Sequence, residues 1–467
     1  MWCTLLSCAA QSGAARPGAS ALAGWDVIWM APFLSGGGYS SEALVFALEL
    51  ARHVPTLRIA QFAEPPSDSF IAGLGEARLR ELERIAQRRA PRGARLLAIC
   101  HSTPDAWVPS RFPGWDEVAP CPPRGAALAV GRTMYESDRL PADWVLRVNR
   151  LDEVWVPTAF NVDSFARAGV EPAKLRALAE PVDVDWFDAA RHEPLPLAKF
   201  LGEGGAELVA QRPFVFLSVF KWEARKGWDV LLRAFLDEFG AARACAPEGD
   251  GQSASARAAC THRRVLLVLK TSAFHSTADI ARTVREFAAS LSSGGDGEGG
   301  GGGAAAATAA ALALVRVVDR ELSADELPRL YAAADAFVLP SRGEGWGRPH
   351  AEAMSMSLPT IATNWSGPTA FMHEANSYPV RIERLVPVAT DDATIRAEGH
   401  LWAEPSVAHL RERMRQVVED RADAVARGRR AREDMVAHFS PAAVGAAARE
   451  MLEALASRAP PRSRDEL

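Results

Sequence analysis

Two glutamates in one glycine-punctuated segment have the residue type and spacing to bind a hydroxyl-rich ligand. Glu344 and Glu352, with seven residues between them, follow an apolar run of strand length, and the loop Gly345–Gly347 lies between them. Carboxylates accept hydrogen bonds from hydroxyls, and a glycine-rich loop can present backbone amides to a phosphate. Pro349 suits the first turn of a helix, which places Glu352 inside it. The segment predicts a site for a polyhydroxylated, phosphate-bearing ligand; the alternative is that Glu352 only caps the helix.

A second loop concentrates positive charge. Lys221, Arg225 and Lys226 come directly after the apolar run Phe214–Val219 and before a helical pattern. A lysine ammonium offers a compact point charge to a phosphate. In open sheets of parallel strands, ligands bind at the carboxyl ends of the strands, which is where these side chains lie. The loop therefore favours a phosphate site, and the alternative is a solvated charged loop.

The first half of the chain contributes a glycine loop and a histidine. Gly36, Gly37 and Gly38 follow the first apolar run, and they would let a backbone approach a ligand at a helix start. A plain tight turn explains them equally well, and they match neither the P-loop nor the dinucleotide-binding fingerprint. His101 ends another apolar run. A lone histidine is more often structural, but the carboxyl end of a strand favours a site.

Apolar runs of strand length alternate with helical patterns through most of the chain. Continuous apolar strands between helices are typical of a parallel sheet covered on both faces. The pattern occurs twice in succession, which predicts an α/β fold with two Rossmann-like, doubly wound parallel-sheet domains. The predicted strands are 27–30, 57–62, 96–100, 127–130, 154–157 and 175–178 in the first domain, and 214–219, 265–269, 314–318, 336–339 and 360–363 in the second.

The domain boundaries follow from composition. We expect a disordered leader at 1–23, an amino-terminal domain at 24–200 and a carboxyl-terminal domain at 206–405. Segments 241–258 and 292–311 are rich in Ala, Gly and Ser, which predicts flexible surface insertions in the second domain. Helices are predicted over 406–457, and a tail over 458–467.

Charge and cysteine content exclude several classes of protein. The 467 residues carry 53 Lys and Arg against 58 Asp and Glu, whereas nucleic-acid binders are usually basic, so we expect no nucleic-acid partner. We also expect no transmembrane segment, because the sequence lacks a run of about 18 apolar residues. The six cysteines form no C-x-x-C pair and are interpreted as free thiols. Arg464–Leu467 is related to a lumenal retention signal, but the apolar leader is weak, so the sequence favours the cytoplasm over the endoplasmic reticulum lumen.

Together these motifs resemble those of the retaining glycosyltransferases of family 4, the glycosyl transferases group 1. The matching positions are the glycine loop Gly36, Gly37 and Gly38, the cleft histidine His101, the phosphate-binding pair Lys221 and Lys226, and the paired glutamates Glu344 and Glu352. The resemblance covers roughly residues 24–455 and is most specific over 214–380. Lys221 replaces a commoner Arg, and Ala370 stands where an acidic residue is common.

The resemblance implies the GT-B fold, in which both sheets face a central cleft and the last helix crosses back to the amino-terminal domain. It implies a nucleotide-diphosphate sugar as co-substrate on the carboxyl-terminal domain, an acceptor on the amino-terminal domain and transfer with retention. It implies neither a bound metal nor a cofactor. Glu344 would contact the transferred sugar, Glu352 the ribose, and Lys221 and Lys226 the leaving pyrophosphate. The implied catalytic residues are His101, Lys221, Lys226 and Glu344, and the implied donor-binding residues are Gly36, Gly37, Gly38, Lys221, Lys226, Glu344, Gly345, Trp346, Gly347 and Glu352.

The acceptor stays open at this stage, as a sugar, a lipid or a protein, and so does the oligomeric state. Charged residues within 131–139 are candidate acceptor contacts, or else a surface ion pair. Trp107 and Trp222 are candidates for stacking on a sugar or a base, although tryptophans more often anchor a core. A non-catalytic nucleotide-sugar-binding protein with the same fold is the alternative function. A nicotinamide-dependent dehydrogenase lacks a convincing fingerprint.

Overall fold

The computed structural model describes residues 20–240, 265–273, 279–293, 312–389 and 397–459. The predicted leader, both low-complexity insertions and the tail lie almost wholly outside the described residues. Within the described residues, two six-stranded sheets and one two-stranded hairpin form the framework.

The amino-terminal sheet carries the glycine loop and His101 at the ends of its strands. Its strands pair in parallel in the order β2-β1-β3-β4-β5-β6. They are β1 (Trp25–Ala31), β2 (Leu57–Gln61), β3 (Arg95–His101), β4 (Ala126–Arg132), β5 (Glu153–Val156) and β6 (Leu175–Ala177). Nearly every residue of β1 is buried, which is why this strand has an apolar run rather than an alternating pattern.

The carboxyl-terminal sheet repeats the design. Its strands pair in parallel in the order β12-β11-β10-β7-β8-β9. They are β7 (Phe214–Trp222), β8 (Val265–Ala273), β9 (Val315–Val318), β10 (Ala336–Leu339), β11 (Thr360–Thr363) and β12 (Tyr378–Val380). An antiparallel hairpin follows, formed by β13 (Ile382–Pro387) and β14 (Leu401–Pro405).

Helices cover both faces of each sheet. They are α1 (Gly38–His53), α2 (Asp68–Leu74), α3 (Glu76–Ala86), α4 (Trp115–Val118), α5 (Ala142–Val148), α6 (Ala159–Ala168), α7 (Leu197–Phe200), α8 (Gly205–Ala210), α9 (Trp228–Phe235), α10 (Ile280–Ser293), α11 (Glu326–Ala332), α12 (Arg348–Ser355), α13 (Val407–Glu419), α14 (Arg421–His438) and α15 (Pro441–Arg458). A π-helical turn, Leu236–Gly240, extends α9.

The predicted fold class is confirmed, since two doubly wound parallel sheets are present. Each of the eleven predicted strands overlaps an observed strand. Strands β12, β13 and β14 were not predicted, because β12 has only three residues and the hairpin is polar and partly exposed. The exact domain boundaries stay a prediction.

The chain crosses between the two domains at two adjacent points. Leu178 packs in the amino-terminal core, whereas Val182 belongs to the carboxyl-terminal core. After α14 the chain returns, and Val444 of α15 packs with the amino-terminal core beside α1. The backbone N–H of Val182 donates to the carbonyl of Phe439 over 2.8 Å, so the two crossings are hydrogen-bonded to each other.

One prediction about the cysteines is wrong. Cys100, at the end of β3, and Cys121 form a disulfide and are both fully buried. The bond closes the loop that leads from β3 to β4, whose residues Thr103, Asp105 and Arg111 face the space between the domains. Sequence spacing did not reveal this pair, because it depends on tertiary folding. Cys3, Cys8, Cys245 and Cys260 lie outside the described residues.

No helix among the described residues combines the length and the apolar character that crossing a membrane requires.

Candidate active site

A large cleft separates the carboxyl ends of the two sheets. It encloses about 2810 Å³. Three segments that the sequence singled out line it: Gly36–Gly38 at the start of α1, Lys221–Lys226 at the end of β7 and in the loop that follows, and Glu344–Pro349 before and at the start of α12. The structure therefore brings the predicted glycine, lysine and glutamate motifs to one cavity, as expected where the ends of parallel strands meet.

Glu344 is the centre of a buried ion-pair cluster. Its side chain is about one-twentieth exposed, at 5%. Lys226 Nζ lies 2.8 Å from Oε1 and 2.9 Å from Oε2, and Arg225 Nη1 lies 3.1 Å from Oε2. Burial alone would raise the pKa of Glu344, but Lys226 and Arg225 outweigh it and hold the pKa at about 2. Glu344 is therefore ionised at neutral pH.

The backbone of two neighbouring loops fixes this cluster. The N–H of Arg342 donates to the carbonyl of Arg225 over 2.7 Å, and Arg225 Nη1 donates to the carbonyl of Gly343 over 2.8 Å. Gly227 follows Lys226 with a φ of +64°, and a Cβ there would lie 2.1 Å from the carbonyl oxygen of Pro340. Only glycine suits both the left-handed backbone and this close approach.

Arg225 is a site residue that the sequence left without a role. Its guanidinium faces three carboxylates: Glu223 at 2.8 Å, Glu344 at 3.1 Å and Glu136 at 3.7 Å. Because Arg225 is already surrounded by protein carboxylates, we assign it to orienting Glu344. The signal in the sequence was its place between the two lysines of a strand-to-helix loop.

Lys221 and Glu352 complete the carboxyl-terminal wall of the cleft. Lys221 lies at the end of β7, and the cleft walls partly shield its ammonium group, which lowers its pKa, as does the nearby charge of Lys226. Glu352 in α12 accepts a hydrogen bond from the Tyr331 hydroxyl over 3.1 Å. Burial raises the pKa of Glu352, against the opposing charge of Arg348, whose Nε lies 3.9 Å away.

Residues 272–402 match the family model described as Glycosyl transferases group 1. This segment holds Glu344, the Gly345–Gly347 loop and Glu352.

Solved structures share the whole arrangement of two domains. HepE of Anabaena, in complex with UDP and glucose, superposes with a TM-score of 0.60 at 13% identity, covering 92% of this chain and 99% of its own. A glycosyltransferase of Rickettsia africae gives 0.58 at 13% identity, over 93% and 99%. Sucrose-phosphate synthase of Thermosynechococcus elongatus gives 0.56 at 14% identity, also over 93% and 99%.

The chain has the GT-B fold. The low identities to these structures show the fold alone, and no curated protein matches the chain at a significant level.

His101 was predicted to be catalytic, but its side chain does not line the GT-B cleft. Its side chain is fully buried, with 0% exposed, and both ring nitrogens are bonded. Trp29 Nε1 donates to Nδ1 over 3.1 Å, so Nε2 carries the proton and lies 3.1 Å from Glu42. Burial lowers the pKa of His101, which keeps the ring neutral. This geometry does not support the predicted catalytic role, because neither nitrogen is available to a substrate.

Glu42, the partner of His101, is a buried carboxylate that the sequence did not single out. Arg132 Nε donates to Glu42 Oε1 over 2.7 Å, and Arg132 Nη1 donates to the carbonyl of Leu178 over 2.6 Å. Burial would raise the pKa of Glu42, but the charge of Arg132 and the hydrogen bond from His101 outweigh it and hold the pKa at about 2. The three side chains form a buried, hydrogen-bonded cluster in the amino-terminal domain.

We expect His101→Ala to lower stability more than activity. The substitution leaves the Trp29 N–H and one oxygen of Glu42 without their buried partner, at a cost of about 2 kcal/mol. Thermal unfolding followed by circular dichroism should show a midpoint lower by about 4–8 °C, on a scale of roughly 2–4 °C per kcal/mol for domains of this size. Catalytic activity measured well below that midpoint should fall by less than about threefold. A loss of about 100-fold with unchanged unfolding would instead restore a catalytic role for His101.

The glycine loop lines the GT-B cleft, whereas the tryptophans that the sequence singled out are largely buried. Gly36, Gly37 and Gly38 line the cavity. Trp346 packs its ring on Phe371 and Phe439 and is almost fully buried, and Trp107 is fully buried. Trp222 stacks on Trp228 at 4.6 Å between ring centroids. Trp107 is a core anchor, whereas Trp222 and Trp346 pack in the carboxyl-terminal core and also border the cavity.

The segment 131–139 forms the junction between the two GT-B domains. Glu136 approaches Arg225 across the cleft, whereas Asp138 accepts a hydrogen bond from the backbone N–H of Leu401 over 2.7 Å. Ser137 Oγ lies 3.1 Å from His400 Nδ1. Its charged and polar groups contact the β13–β14 hairpin and the loop Lys221–Lys226, called the lysine loop below. This segment therefore fixes the position of one domain against the other.

Glu180 is a buried cleft residue that no sequence motif marked. It lies at the first crossing between the domains, is 1% exposed and lines the cavity. Its nearest cation is Arg348, with Nη1 3.4 Å from Oε2. Burial, and then the charge of Glu42, raise the pKa of Glu180 to about 8.

Proposed function

We propose that this chain is a glycosyltransferase that moves a sugar from a nucleotide-diphosphate sugar to an acceptor hydroxyl, with retention of configuration and without a metal ion. The observation that carries the proposal is the buried Glu344–Lys226 pair at the cleft, inside the segment that matches the group 1 family model. Such a transfer requires an acceptor hydroxyl, a carboxylate that accepts hydrogen bonds from the sugar hydroxyls, and cations that neutralise the diphosphate.

The carboxyl-terminal wall supplies the electrostatics of the proposed reaction. As the bond between the anomeric carbon and the donor phosphate oxygen breaks, negative charge develops on the departing nucleoside diphosphate. Lys226 is held in place by Glu344, and Lys221 stands at the end of β7 on the same loop. Fixed cations aimed at developing charge stabilise the transition state without reorganisation.

Proton and bond changes balance within the two substrates. A new bond forms between the acceptor oxygen and the anomeric carbon, and the hydroxyl proton passes to the departing phosphate oxygen. Attack on the same face as departure retains the configuration. The amino-terminal wall needs only to hold the acceptor, because the departing phosphate takes the proton. This reaction therefore needs no base at His101, which is fully buried.

UDP-sugars are the first donors to test. The HepE structures hold UDP with glucose, UDP alone, or UDP-glucose, and their fold matches this chain over nearly its whole length. Glu352, whose oxygens face the Tyr331 hydroxyl and Arg348, is our proposed ribose-binding residue.

No metal or cofactor enters the proposal. Among the described residues, no group of three or more His, Cys, Asp or Glu side chains is arranged to hold a metal ion.

The predicted cytoplasmic location stays a prediction, and the Cys100–Cys121 disulfide argues for an oxidising compartment instead, because disulfides persist mainly there.

The test is identification of the product. The chain is incubated with UDP-, GDP- and ADP-sugars and with a panel of sugar, lipid and peptide acceptors, with and without EDTA. Mass spectrometry should find one acceptor heavier by one sugar, and proton NMR should show the donor's anomeric configuration kept. EDTA should leave the rate unchanged. Tight nucleotide-sugar binding with neither transfer nor hydrolysis would favour the alternative of a non-catalytic nucleotide-sugar-binding protein, for which the withdrawn position of His101 is the supporting observation.

A further inference from the structure

Glu180 occupies an unusual place, since it stands where the chain passes from one GT-B domain to the other. Leu178, two residues earlier, packs in the amino-terminal core, and Val182, two residues later, packs in the carboxyl-terminal core. The carboxyl group lies at the cleft, beside the first residue of α12. A charge at this position interacts with groups of both domains.

One cation serves two carboxyl groups here. Arg348 places Nη1 3.4 Å from Glu180 and Nε 3.9 Å from Glu352. The other oxygen of Glu352 accepts the Tyr331 hydroxyl, so Arg348 is the only cation that the described contacts give Glu352. Because a guanidinium interacts most strongly with an ionised partner, the charge on Glu180 decides how much of Arg348 is available to Glu352.

We propose that Glu180 is a positioning residue of the donor site, which controls through Arg348 whether Glu352 is held ionised and oriented to accept the ribose hydroxyls of the nucleotide. This inference rests on the proposed function, because it takes Glu352 as the ribose-binding residue. A protonated Glu180 leaves Arg348 to Glu352. An ionised Glu180 draws Arg348 away and adds a second negative charge beside the nucleotide.

The surroundings of Glu180 set the pH at which this exchange occurs. The charged groups that face it are Glu42 from α1, Arg132 from β4 and Arg348 from α12. Burial and Glu42 favour the protonated form of Glu180, and the two arginines oppose them, so that its pKa is about 8. Donor affinity should therefore be highest below pH 8 and should fall as the pH rises through that value.

The test compares nucleotide binding by the unaltered chain and by Glu180→Gln. Glutamine keeps the shape and the acceptor oxygen of the protonated carboxyl but cannot ionise. UDP, GDP and ADP are titrated calorimetrically, and the tightest binder is the probe. The ratio of the two Kd values, unaltered chain over variant, should be near 1 at about pH 6.5 and should reach about 5 at about pH 9, a coupling of ordinary size for linked sites. Taking the ratio cancels the titration of the nucleotide itself.

Two further variants separate this role from a structural one. Arg348→Met should weaken nucleotide binding at every pH and make Glu180→Gln silent in the double variant. Glu76→Gln, a control carboxyl at the rim of the cleft that pairs only with Arg80 in the described contacts, should follow the unaltered pH profile. Circular dichroism at each pH confirms that all variants are folded.

The outcomes that overturn the inference differ from those that overturn the function. Parallel pH profiles for the unaltered chain and Glu180→Gln, or unaltered binding by Arg348→Met, would overturn the positioning role alone, provided that binding still requires Lys226. Binding of none of the three nucleotides would overturn the proposed donor site, and this inference with it.

Discussion

Lys226→Met is expected to slow sugar transfer by roughly 100- to 1000-fold. Lys226 is 7% exposed, and its ammonium group lies within 2.9 Å of both oxygens of Glu344. In the proposed reaction it also neutralises the departing diphosphate, and loss of one such fixed group costs about 2.7–4 kcal/mol, or roughly 100- to 1000-fold in kcat. Initial rates with radiolabelled donor measure the effect. Lys199→Met, at an exposed lysine of α7, is the matched control and should retain full activity.

A second variant separates chemistry from folding. Removing Lys226 alone leaves buried Glu344 with Arg225 as its remaining partner, which also destabilises the protein, because breaking a buried pair costs about 3–5 kcal/mol. The double variant Lys226→Met, Glu344→Gln removes both charges and should unfold at a higher temperature than the single variant, yet transfer sugar no faster. Recovered transfer in the double variant would show that Lys226 serves only to neutralise Glu344.

Gly343→Ala is expected to stop transfer by a different route, which leaves the donor site intact. A Cβ on Gly343 would lie 2.2 Å from the carbonyl oxygen of Glu136, which belongs to the opposite domain. Neither backbone can yield locally, so the methyl group should wedge the cleft open by about 1 Å. A misplacement of that size can cost about 100-fold in rate, because the two substrates no longer meet in reactive geometry.

Two measurements on Gly343→Ala distinguish an opened cleft from a damaged donor site. Nucleotide affinity by calorimetry should stay within about twofold, since the lysine loop and Glu352 belong to a single domain, while kcat falls. Gly73→Ala, at a cleft-lining glycine whose Cβ would meet nothing within 4 Å, is the control and should behave as the unaltered chain. Normal transfer by Gly343→Ala would mean that the reaction does not need this contact between the domains.

The parts of the molecule that local pattern determines were predictable from the sequence. Buried parallel strands require continuous apolar residues, so strands such as β1 and β7 were visible as runs. The residues at their carboxyl ends must meet, which was enough to place Lys226 and Glu344 in one cleft. The fold class followed from the same alternation.

Contacts set by tertiary packing left no comparable signal. Glu42 lies in α1 after three polar residues, a pattern that suggests an exposed helix start, yet the fold buries it against Arg132 and His101. Glu180 stands in an irregular segment where spacing carries no information. The Cys100–Cys121 pair joins a strand end to a distant turn, and only the path of the intervening loop brings them together.

The two hydrogen-bonded crossings make the amino-terminal domain discontinuous in sequence. Its apolar core is built from residues up to Leu178 and from α15, which supplies Val444, Ala448 and Leu452 only after the whole carboxyl-terminal domain has been traversed. A fragment that ends at the first crossing would leave the matching face of α1 uncovered. The carboxyl-terminal domain is thus an insertion within its partner, and the amino-terminal domain can complete its fold only after that insertion has been synthesised.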